Sequence, residues 1–243
     1  MNHAETSQTI FDSQYHLLGL KAQRLYPNES LVQFLGSNYF HLPIDERGKI
    51  KILEIGSGSG ANLWMMAKEG FHVFGMDSSA KALELAQLHL QEKWGVSASL
   101  KMGSFLDLPY DTGSFDALVD VVSLQHIGLE DSRLALREVA RVLRPGGRFF
   151  SFRLSDHSVM FGKARDLERV DCCTLANISD PSLPLANTGP IAFWSPSLAR
   201  MLYEEAGLSI QSVSRVTRTY SDGAVVEYLA AEATNEAAAS NSG

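Results

Sequence analysis

The sequence has 243 residues, and its 28 aspartates and glutamates outnumber its 21 lysines and arginines, which gives a formal net charge of −7 at pH 7. Binding to a nucleic-acid backbone needs clustered cations, and no stretch is rich in lysine and arginine, so a small-molecule or protein partner is favoured over a nucleic acid. The apolar runs are too short to span a membrane, the polar start MNHAETSQ is unlike a signal peptide, and the length suits one α/β domain with an appendage, so we expect one main domain in the cytoplasm.

The first 48 residues are predicted to be helical and to lie across the open end of a sheet, as a lid. Apolar residues at helical spacing predict helices over Tyr15–Tyr26 and Glu29–Tyr39. Arg24 and Tyr26 lie at the bend between them, where they can reach a ligand carboxylate. A solvated arginine and a packing tyrosine are the alternative interpretation.

A glycine-rich loop follows the first predicted strand and is typical of a nucleoside-binding βαβ unit. The apolar run Ile50–Ile55 predicts this strand, and the loop alternates glycine with serine at Gly56, Gly58 and Gly60. Glycines let the backbone turn sharply and approach a ligand, and the next helix points its positive N-terminal end at an anionic group. A second strand ends at Asp77, whose carboxylate can accept hydrogen bonds from the two hydroxyls of a ribose.

Two cofactor classes use such a unit, and the loop satisfies the patterns of both. Gly56, Gly58 and Ala61 match the dinucleotide pattern G-x-G-x-x-G/A, whereas Glu54 and the three loop glycines match E-x-G-x-G-x-G. The loop alone does not separate the two classes.

Strands and helices continue to alternate after Asp77. The predicted strands of the whole chain are Ile50–Ile55, Phe71–Met76, Ser97–Lys101, Phe115–Val122, Arg148–Leu154, Leu208–Thr217 and Ala224–Ala231. The predicted helices after the glycine loop are Asn62–Glu69, Ser79–Lys93, Leu129–Leu143 and Ser195–Ala206. Such alternation requires a parallel sheet with helices on both faces, and the short turn between the last two strands makes them an antiparallel hairpin.

The cysteines and histidines do not indicate a metal site. Cys172 and Cys173 are adjacent, which suits neither an ordinary disulfide nor a zinc site with spaced ligands. The seven histidines are scattered, without pairs at ligand spacing. We therefore predict that no metal is bound.

Taken together, these segments resemble the class I methyltransferases that use S-adenosyl-L-methionine. The resemblance runs from Ile50 to about Glu232 and rests on ILEIGSGSG, the acid in GMDSS, LPYDTGSFD and REVARVLRPGG, followed by the late helix and hairpin. It implies a Rossmann-like, seven-stranded, mostly parallel sheet, and methyl transfer to O, N or C of a small-molecule acceptor. A nicotinamide-dependent oxidoreductase and a non-catalytic protein that binds S-adenosylmethionine are the alternatives.

The resemblance also implies a division of the chain into parts. Residues 1–48 would form the helical lid and residues 49–232 the methyltransferase domain. Residues 155–193, an irregular and proline-containing stretch, would be an insertion on the acceptor side, because a loop this long in a compact domain is usually functional. Residues 233–243 are predicted to be a disordered tail.

The cofactor contacts implied by the resemblance are Glu54, Gly56, Ser57, Gly58, Gly60, Asp77, Ser78, Ser104, Phe105 and Val121. Glu54 and the loop would face the methionine part, and Asp77 would hold the ribose. Many relatives have an aspartate at the position of Ser104, where it meets the adenine amino group. Here the serine hydroxyl or a backbone carbonyl would substitute, and Phe105 would pack on the purine or belong to the core.

Two side chains near the end of the fourth strand are the predicted catalytic residues. Methyl transfer is an in-line displacement that mainly needs alignment and exclusion of water, but a hydroxyl or ammonium acceptor also needs a base. Asp120 and His126 are candidates for acceptor contact or proton removal. A capping role for Asp120, and packing or a backbone hydrogen bond for His126, are the alternatives. Arg153, Asp156 and His157 are further candidates because they lie at the exit of the fifth strand.

Overall fold

A computed structural model describes residues 3–163, 167–183, 185–221 and 223–236. Within these ranges the strands are β1 Lys51–Ile55, β2 His72–Asp77, β3 Ser99–Met102, β4 Phe115–Val121, β5 Leu143–Leu154, β6 Thr174–Leu175, β7 Ile191–Ala192, β8 Leu208–Thr219 and β9 Val225–Asn235. The α-helices are α1 His3–Leu18, α2 Glu29–Asn38, α3 Ile44–Arg47, α4 Leu63–Lys68, α5 Ala80–Leu88, α6 Leu129–Val142, α7 Val159–Lys163 and α8 Pro196–Glu205.

Seven of these strands form one sheet in the order β3-β2-β1-β4-β5-β9-β8. The strands β1 to β5 run parallel, and β9 is antiparallel to both of its neighbours, β5 and β8. The predicted α/β architecture with an antiparallel C-terminal hairpin is therefore confirmed. Strand β2 pairs with one side of β1, and β4 pairs with the other side. The strand order therefore reverses at β1, and a crevice opens at the carboxyl ends of these strands.

The central strands are apolar because both faces of the sheet are covered. On one face Leu118 and Phe149 pack with residues of α6 and α8. On the other face Val119 and Phe150 pack with residues of α2 and α4. The helices begin where a side chain can accept a backbone N–H, as Ser79 Oγ does from Ala82 N at 3.0 Å.

Several predicted boundaries are wrong, among them the start of β5, which is Leu143 and not Arg148. The first helix spans His3–Leu18 and continues as a 3₁₀ turn, because Gly19 (φ +56°) leaves the α-helical conformation before the predicted end at Tyr26. Strand β9 continues to Asn235, into the predicted tail, and the Asn235 side chain donates to Leu143 O at 2.8 Å. Residues 237–243, the rest of that tail, lie outside the described residues. The predicted irregular stretch 155–193 contains α7, β6 and β7.

No helix in the described part of the chain is long and apolar enough to cross a membrane. The cytoplasmic location and the lack of a nucleic-acid partner stay predictions.

Candidate functional site

A cavity of about 530 Å³ lies at the carboxyl ends of the sheet strands and is covered by α1. Nine of the twelve predicted site residues line it: Glu54, Gly56, Ser57, Asp77, Ser78, Ser104, Phe105, Val121 and His126. The other three, Gly58, Gly60 and Asp120, lie behind its wall. The position matches the crevice expected from the strand order.

Glu54 lines this cavity and has one carboxylate oxygen that lacks a hydrogen-bond partner among the described residues. The side chain is 2% exposed, and Oε1 accepts a hydrogen bond from Asn62 Nδ2 at 2.5 Å. Oε2 is buried, and no described residue forms a hydrogen bond with it. Burial raises the pKa of Glu54 to about 8, against the opposing effects of the Asn62 hydrogen bond and the Arg24 charge. An unpaired buried carboxylate oxygen is costly, so this position suits a ligand with a donating or cationic group.

Asp77 connects the glycine loop to the tip of β2. Its Oδ2 accepts from Gly58 N at 2.8 Å, and its Oδ1 accepts from Ser79 N at 2.9 Å. Burial raises the pKa of Asp77, and these backbone hydrogen bonds act in the opposite direction. A carboxylate has about four lone-pair positions, so Asp77 keeps acceptor capacity for a ligand in the cavity.

The loop glycines are required by close approach as well as by backbone conformation. Gly56 and Gly58 have φ angles of +62° and +52°. A Cβ on Gly56 would overlap Ser123 Oγ, and a Cβ on Gly58 would lie 2.5 Å from Tyr15 Oη. Gly58 therefore shapes the loop under α1. It does not line the cavity, and its direct contact with a ligand stays a prediction. Ser57 Oγ is buried and makes no hydrogen bond within the described part of the chain.

The structure does not support acceptor contact by Asp120. The side chain is 0% exposed and does not reach the cavity. Its Oδ1 accepts from Ser123 N at 2.9 Å and Leu124 N at 3.0 Å, and its Oδ2 accepts from Ser151 Oγ at 2.8 Å. Asp120 instead caps the turn that follows β4, which is the alternative role considered above.

The other candidates at the fifth strand and at the N-terminal bend are also away from the cavity, with one exception. Arg153 is 1% exposed, with its guanidinium carbon 3.1 Å from the centroid of the Trp194 ring. Asp156 and His157 do not line the cavity. Tyr26 is 60% exposed and packs edge-on against Trp64 at a centroid distance of 6.2 Å. Arg24 is the exception, since it lines the cavity and is an exposed residue.

His126 lines the cavity as a neutral imidazole. Its Nδ1 lies 3.3 Å from Pro190 O, which can only accept, so Nδ1 carries the proton. Its Nε2 then has the lone pair and lies 3.4 Å from Gln125 Nε2, whose amide oxygen accepts from Leu154 N. Burial lowers the pKa of His126 to about 4, so the ring is uncharged at pH 7.

Helix α1 is fixed over the cavity by contacts that could not be predicted from the sequence. Ser7 Oγ donates to His126 O at 3.1 Å, Gln8 Nε2 donates to Ser78 O at 3.3 Å, and the Phe11 ring meets the His126 ring edge-on at a centroid distance of 4.8 Å. The partners are far apart in the chain, and single polar residues in a helix carry no signal of a distant contact. Tyr15, Tyr228 and Arg218 also line the cavity and were missed for the same reason.

Two non-glycine residues of the described cavity wall, Val122 and Leu185, have a positive φ, each +62°. Val122 is β-branched and so disfavours this conformation more strongly, and its N–H donates to Phe152 O at 2.8 Å. Strained residues of this kind cluster at functional sites. The strained residue Val122 directly follows β4, next to the turn that Asp120 caps.

A possible set of metal ligands lies outside the cavity. Among the described residues, ligand atoms of Asp171, Cys172 and Cys173 lie within 4.8 Å of one another. Both Asp171 oxygens already accept backbone hydrogen bonds, from Leu129 N at 2.8 Å and Cys173 N at 2.9 Å. These hydrogen bonds give both oxygens of the Asp171 carboxylate a structural role, and we assign no metal to this cluster.

Comparisons with known proteins agree on one family. A family profile described as a methyltransferase domain matches residues 52–147. The chain is 32% identical over 189 residues to a ubiquinone biosynthesis O-methyltransferase of Chromobacterium violaceum, covering 74% of this chain and 77% of that relative. A SAM-dependent methyltransferase of Methanosarcina mazei has a similar fold, with a TM-score of 0.65, 22% identity, and coverage of 80% of this chain and 97% of that one. A 1,6-didemethyltoxoflavin-N1-methyltransferase of Burkholderia thailandensis, with bound S-adenosylhomocysteine, has a TM-score of 0.60, 17% identity and coverage of 96% and 88%.

Proposed function

Because this chain belongs to the class I methyltransferases, which transfer a methyl group from S-adenosyl-L-methionine to small molecules, we propose that Glu54 and Asp77 are its two main cofactor contacts. The cofactor supplies a methyl group bonded to a positively charged sulfur. The observation that carries the proposal is the buried, unpartnered Oε2 of Glu54 at the glycine loop. Membership of this family excludes both alternatives, a nicotinamide-dependent oxidoreductase and a non-catalytic protein that binds S-adenosylmethionine.

The methionine part of the cofactor has an amino group and a carboxylate, and the cavity offers a partner for each. Glu54 Oε2 can accept from the amino group, which would satisfy the oxygen that now lacks a partner. Arg24 lines the same cavity and its charge acts on Glu54, so its guanidinium can pair with the cofactor carboxylate. Asn62 holds the Glu54 side chain in place.

Asp77 is proposed to accept from the ribose hydroxyls, as the sequence indicated. Its two backbone hydrogen bonds fix the carboxylate before any ligand binds, which lowers the entropy cost of binding. Ser104 and Phe105 line the cavity beyond β2 and are proposed to contact the adenine. Ser104 Oγ accepts from Leu106 N at 3.1 Å, so its hydroxyl hydrogen is available to a ring nitrogen.

We propose an oxygen as the methyl acceptor. Support comes from the relative of Chromobacterium violaceum, whose name is that of an O-methyltransferase. His126 lines the cavity, and its Nε2 lone pair now accepts from Gln125 Nε2 at 3.4 Å, so an acceptor hydroxyl would take the place of that amide donor. With a pKa of about 4 it is a weak base, so alignment and exclusion of water under α1 would provide most of the catalysis.

The proposal is tested by titrating the protein with S-adenosylhomocysteine in a calorimeter. Asp77→Asn leaves one acceptor oxygen for the two ribose hydroxyls. The change should weaken S-adenosylhomocysteine binding by about tenfold or more. Asp45→Asn, an exposed change in α3, is the matched control and should bind normally. Equal affinity of the Asp77→Asn protein and the wild type would exclude Asp77 from the cofactor site.

A further inference from the structure

The cavity is divided by the strand order into two halves with different side chains. Glu54, Asp77 and Ser104 belong to β1, β2 and the loop after β3, at one end of the sheet. Tyr228 and Arg218 belong to β9 and β8, at the other end. Strand β8 is four strands from β1, which is roughly 19 Å at about 4.8 Å per strand. Arg218 is thus distant from the proposed ribose and adenine contacts, Asp77 and Ser104, whereas Arg24 lies between the halves, since its charge acts on both Glu54 and Tyr228.

These residues all lie on the same edge of the sheet even though β8 and β9 run in opposite directions. Tyr228, near the start of β9, pairs with Leu154 at the end of β5. Arg218, near the end of β8, pairs with Val226. The antiparallel pairing therefore brings both residues to the carboxyl edge of the parallel strands, where the cavity opens.

The second half offers an aromatic surface and a cation. The rings of Phe152 and Tyr228 are stacked at a centroid distance of 4.7 Å and an interplanar angle of 19°. Arg218 lines the same region, and its charge acts on the Tyr228 hydroxyl. No carboxylate of the described residues forms an ion pair with Arg218, whereas Arg215 on the same strand pairs with Glu227 at 3.5 Å. Glu29 lines the cavity at the start of α2, and it too is not among the ion pairs of Arg218 in the described residues.

We propose that the methyl acceptor is an aromatic acid, whose ring packs against Tyr228 and whose anionic group pairs with Arg218. This inference rests on the proposed function, because it takes Glu54 and Asp77 as the cofactor side. An arginine fork matches a carboxylate in geometry and charge, and planar rings pack well on an aromatic face. A ligand that covers Arg218 would also remove water from the ion pair, which strengthens it relative to an exposed surface pair.

The test measures the binding of matched probes to protein saturated with S-adenosylhomocysteine. The probes are one-ring and two-ring aromatic carboxylates, such as 4-hydroxyphenylacetate, and their primary carboxamides, which have the same shape without the charge. The wild type should bind the best carboxylate at least tenfold more tightly than its carboxamide. Arg218→Gln should remove this preference and leave the affinity for S-adenosylhomocysteine within twofold, and Arg218→Lys should restore part of it. Arg215→Gln, on the same strand but outside the cavity, should keep the wild-type preference.

The outcomes separate this inference from the proposed function. If the wild type binds no carboxylate more tightly than its carboxamide, or if Arg218→Gln keeps the preference, the inference is overturned while the cofactor assignment stands. If Arg218→Gln weakens S-adenosylhomocysteine binding tenfold, Arg218 belongs to the cofactor site and the inference is again overturned. Failure of the wild type to bind S-adenosylhomocysteine would overturn the proposed function and this inference with it.

Discussion

Gly58 lies so close to Tyr15 that a Cβ atom on the glycine would be 2.5 Å from the tyrosine hydroxyl oxygen. The contact joins the glycine loop to α1, and Tyr15 is 2% exposed, so its ring has little room to move. Helix α1 and the loop therefore act as one unit in closing the cavity. Gly58 is itself buried, so a side chain there would disturb the fold as well as the cavity.

We expect Gly58→Ala to displace Tyr15 and to weaken S-adenosylhomocysteine binding by about tenfold. The φ angle of +52° adds a strain of roughly 1 kcal/mol for alanine. Gly95→Ala is the matched control, because Gly95 has a φ of +61° but no atom within 4 Å of an added Cβ. Calorimetry and urea denaturation should show a loss of stability in both variants and a loss of affinity only in Gly58→Ala. If Gly58→Ala binds S-adenosylhomocysteine with wild-type affinity, the contact between the loop and α1 does not contribute to cofactor binding.

Asp120→Ala tests the structural role of this carboxylate. The change removes the acceptor for Ser123 N, Leu124 N and the Ser151 hydroxyl, and it removes the negative charge that acts on buried Arg153. Breaking such a buried network typically costs about 3–5 kcal/mol. We expect urea denaturation to show this loss. A variant with wild-type stability and a roughly 100-fold lower kcat would instead restore the catalytic role predicted from the sequence.

His126 should make the stability of the protein depend on pH. Its pKa falls from 6.5 in the unfolded chain to about 4 in the folded protein, so the unfolded state binds the proton first as the pH decreases. The stabilising contribution is complete above about pH 6.5 and is lost as the pH falls to about 4. The total change is about 3 kcal/mol.

The free energy of unfolding, measured between pH 7 and 4, checks this expectation. His126→Gln should have a shallower pH dependence than the wild type, because the residue that titrates is gone. His157→Gln is the control, since the His157 side chain is 57% exposed. Identical pH profiles for the wild type and His126→Gln would show that His126 does not titrate in this range.

The fold was largely predictable because its signals are local and repeated. Apolar runs of strand length, followed by amphipathic helices, gave β1 to β5 and the hairpin within a few residues. The N-terminal helix was misplaced because its first turns are polar and Gly19 interrupts the pattern. Helix boundaries set by one glycine are weaker signals than a periodic apolar face.

The site was predictable only where a motif fixes the backbone. Glu54 and Asp77 were found because each stands at the end of a strand beside the glycine loop. Asp120 also stands near a strand end, but the sequence does not show whether its side chain faces the cavity or the interior. Arg218 was missed because it lies on the edge strand β8, and only the order of the sheet brings that strand to the cavity.

The central claim, that Glu54 receives the amino group of the cofactor, is tested most directly by counting the protons released when S-adenosylhomocysteine binds. With a pKa of about 8, the free carboxyl is about nine-tenths protonated at pH 7, and an ammonium partner would lower that pKa and expel the proton. Calorimetry at pH 7 in buffers of different ionisation enthalpy should show release of about 0.9 proton for the wild type, by the same arithmetic. Glu54→Gln should release none and bind at least tenfold more weakly. Equal proton release and equal affinity in the two proteins would contradict the assignment.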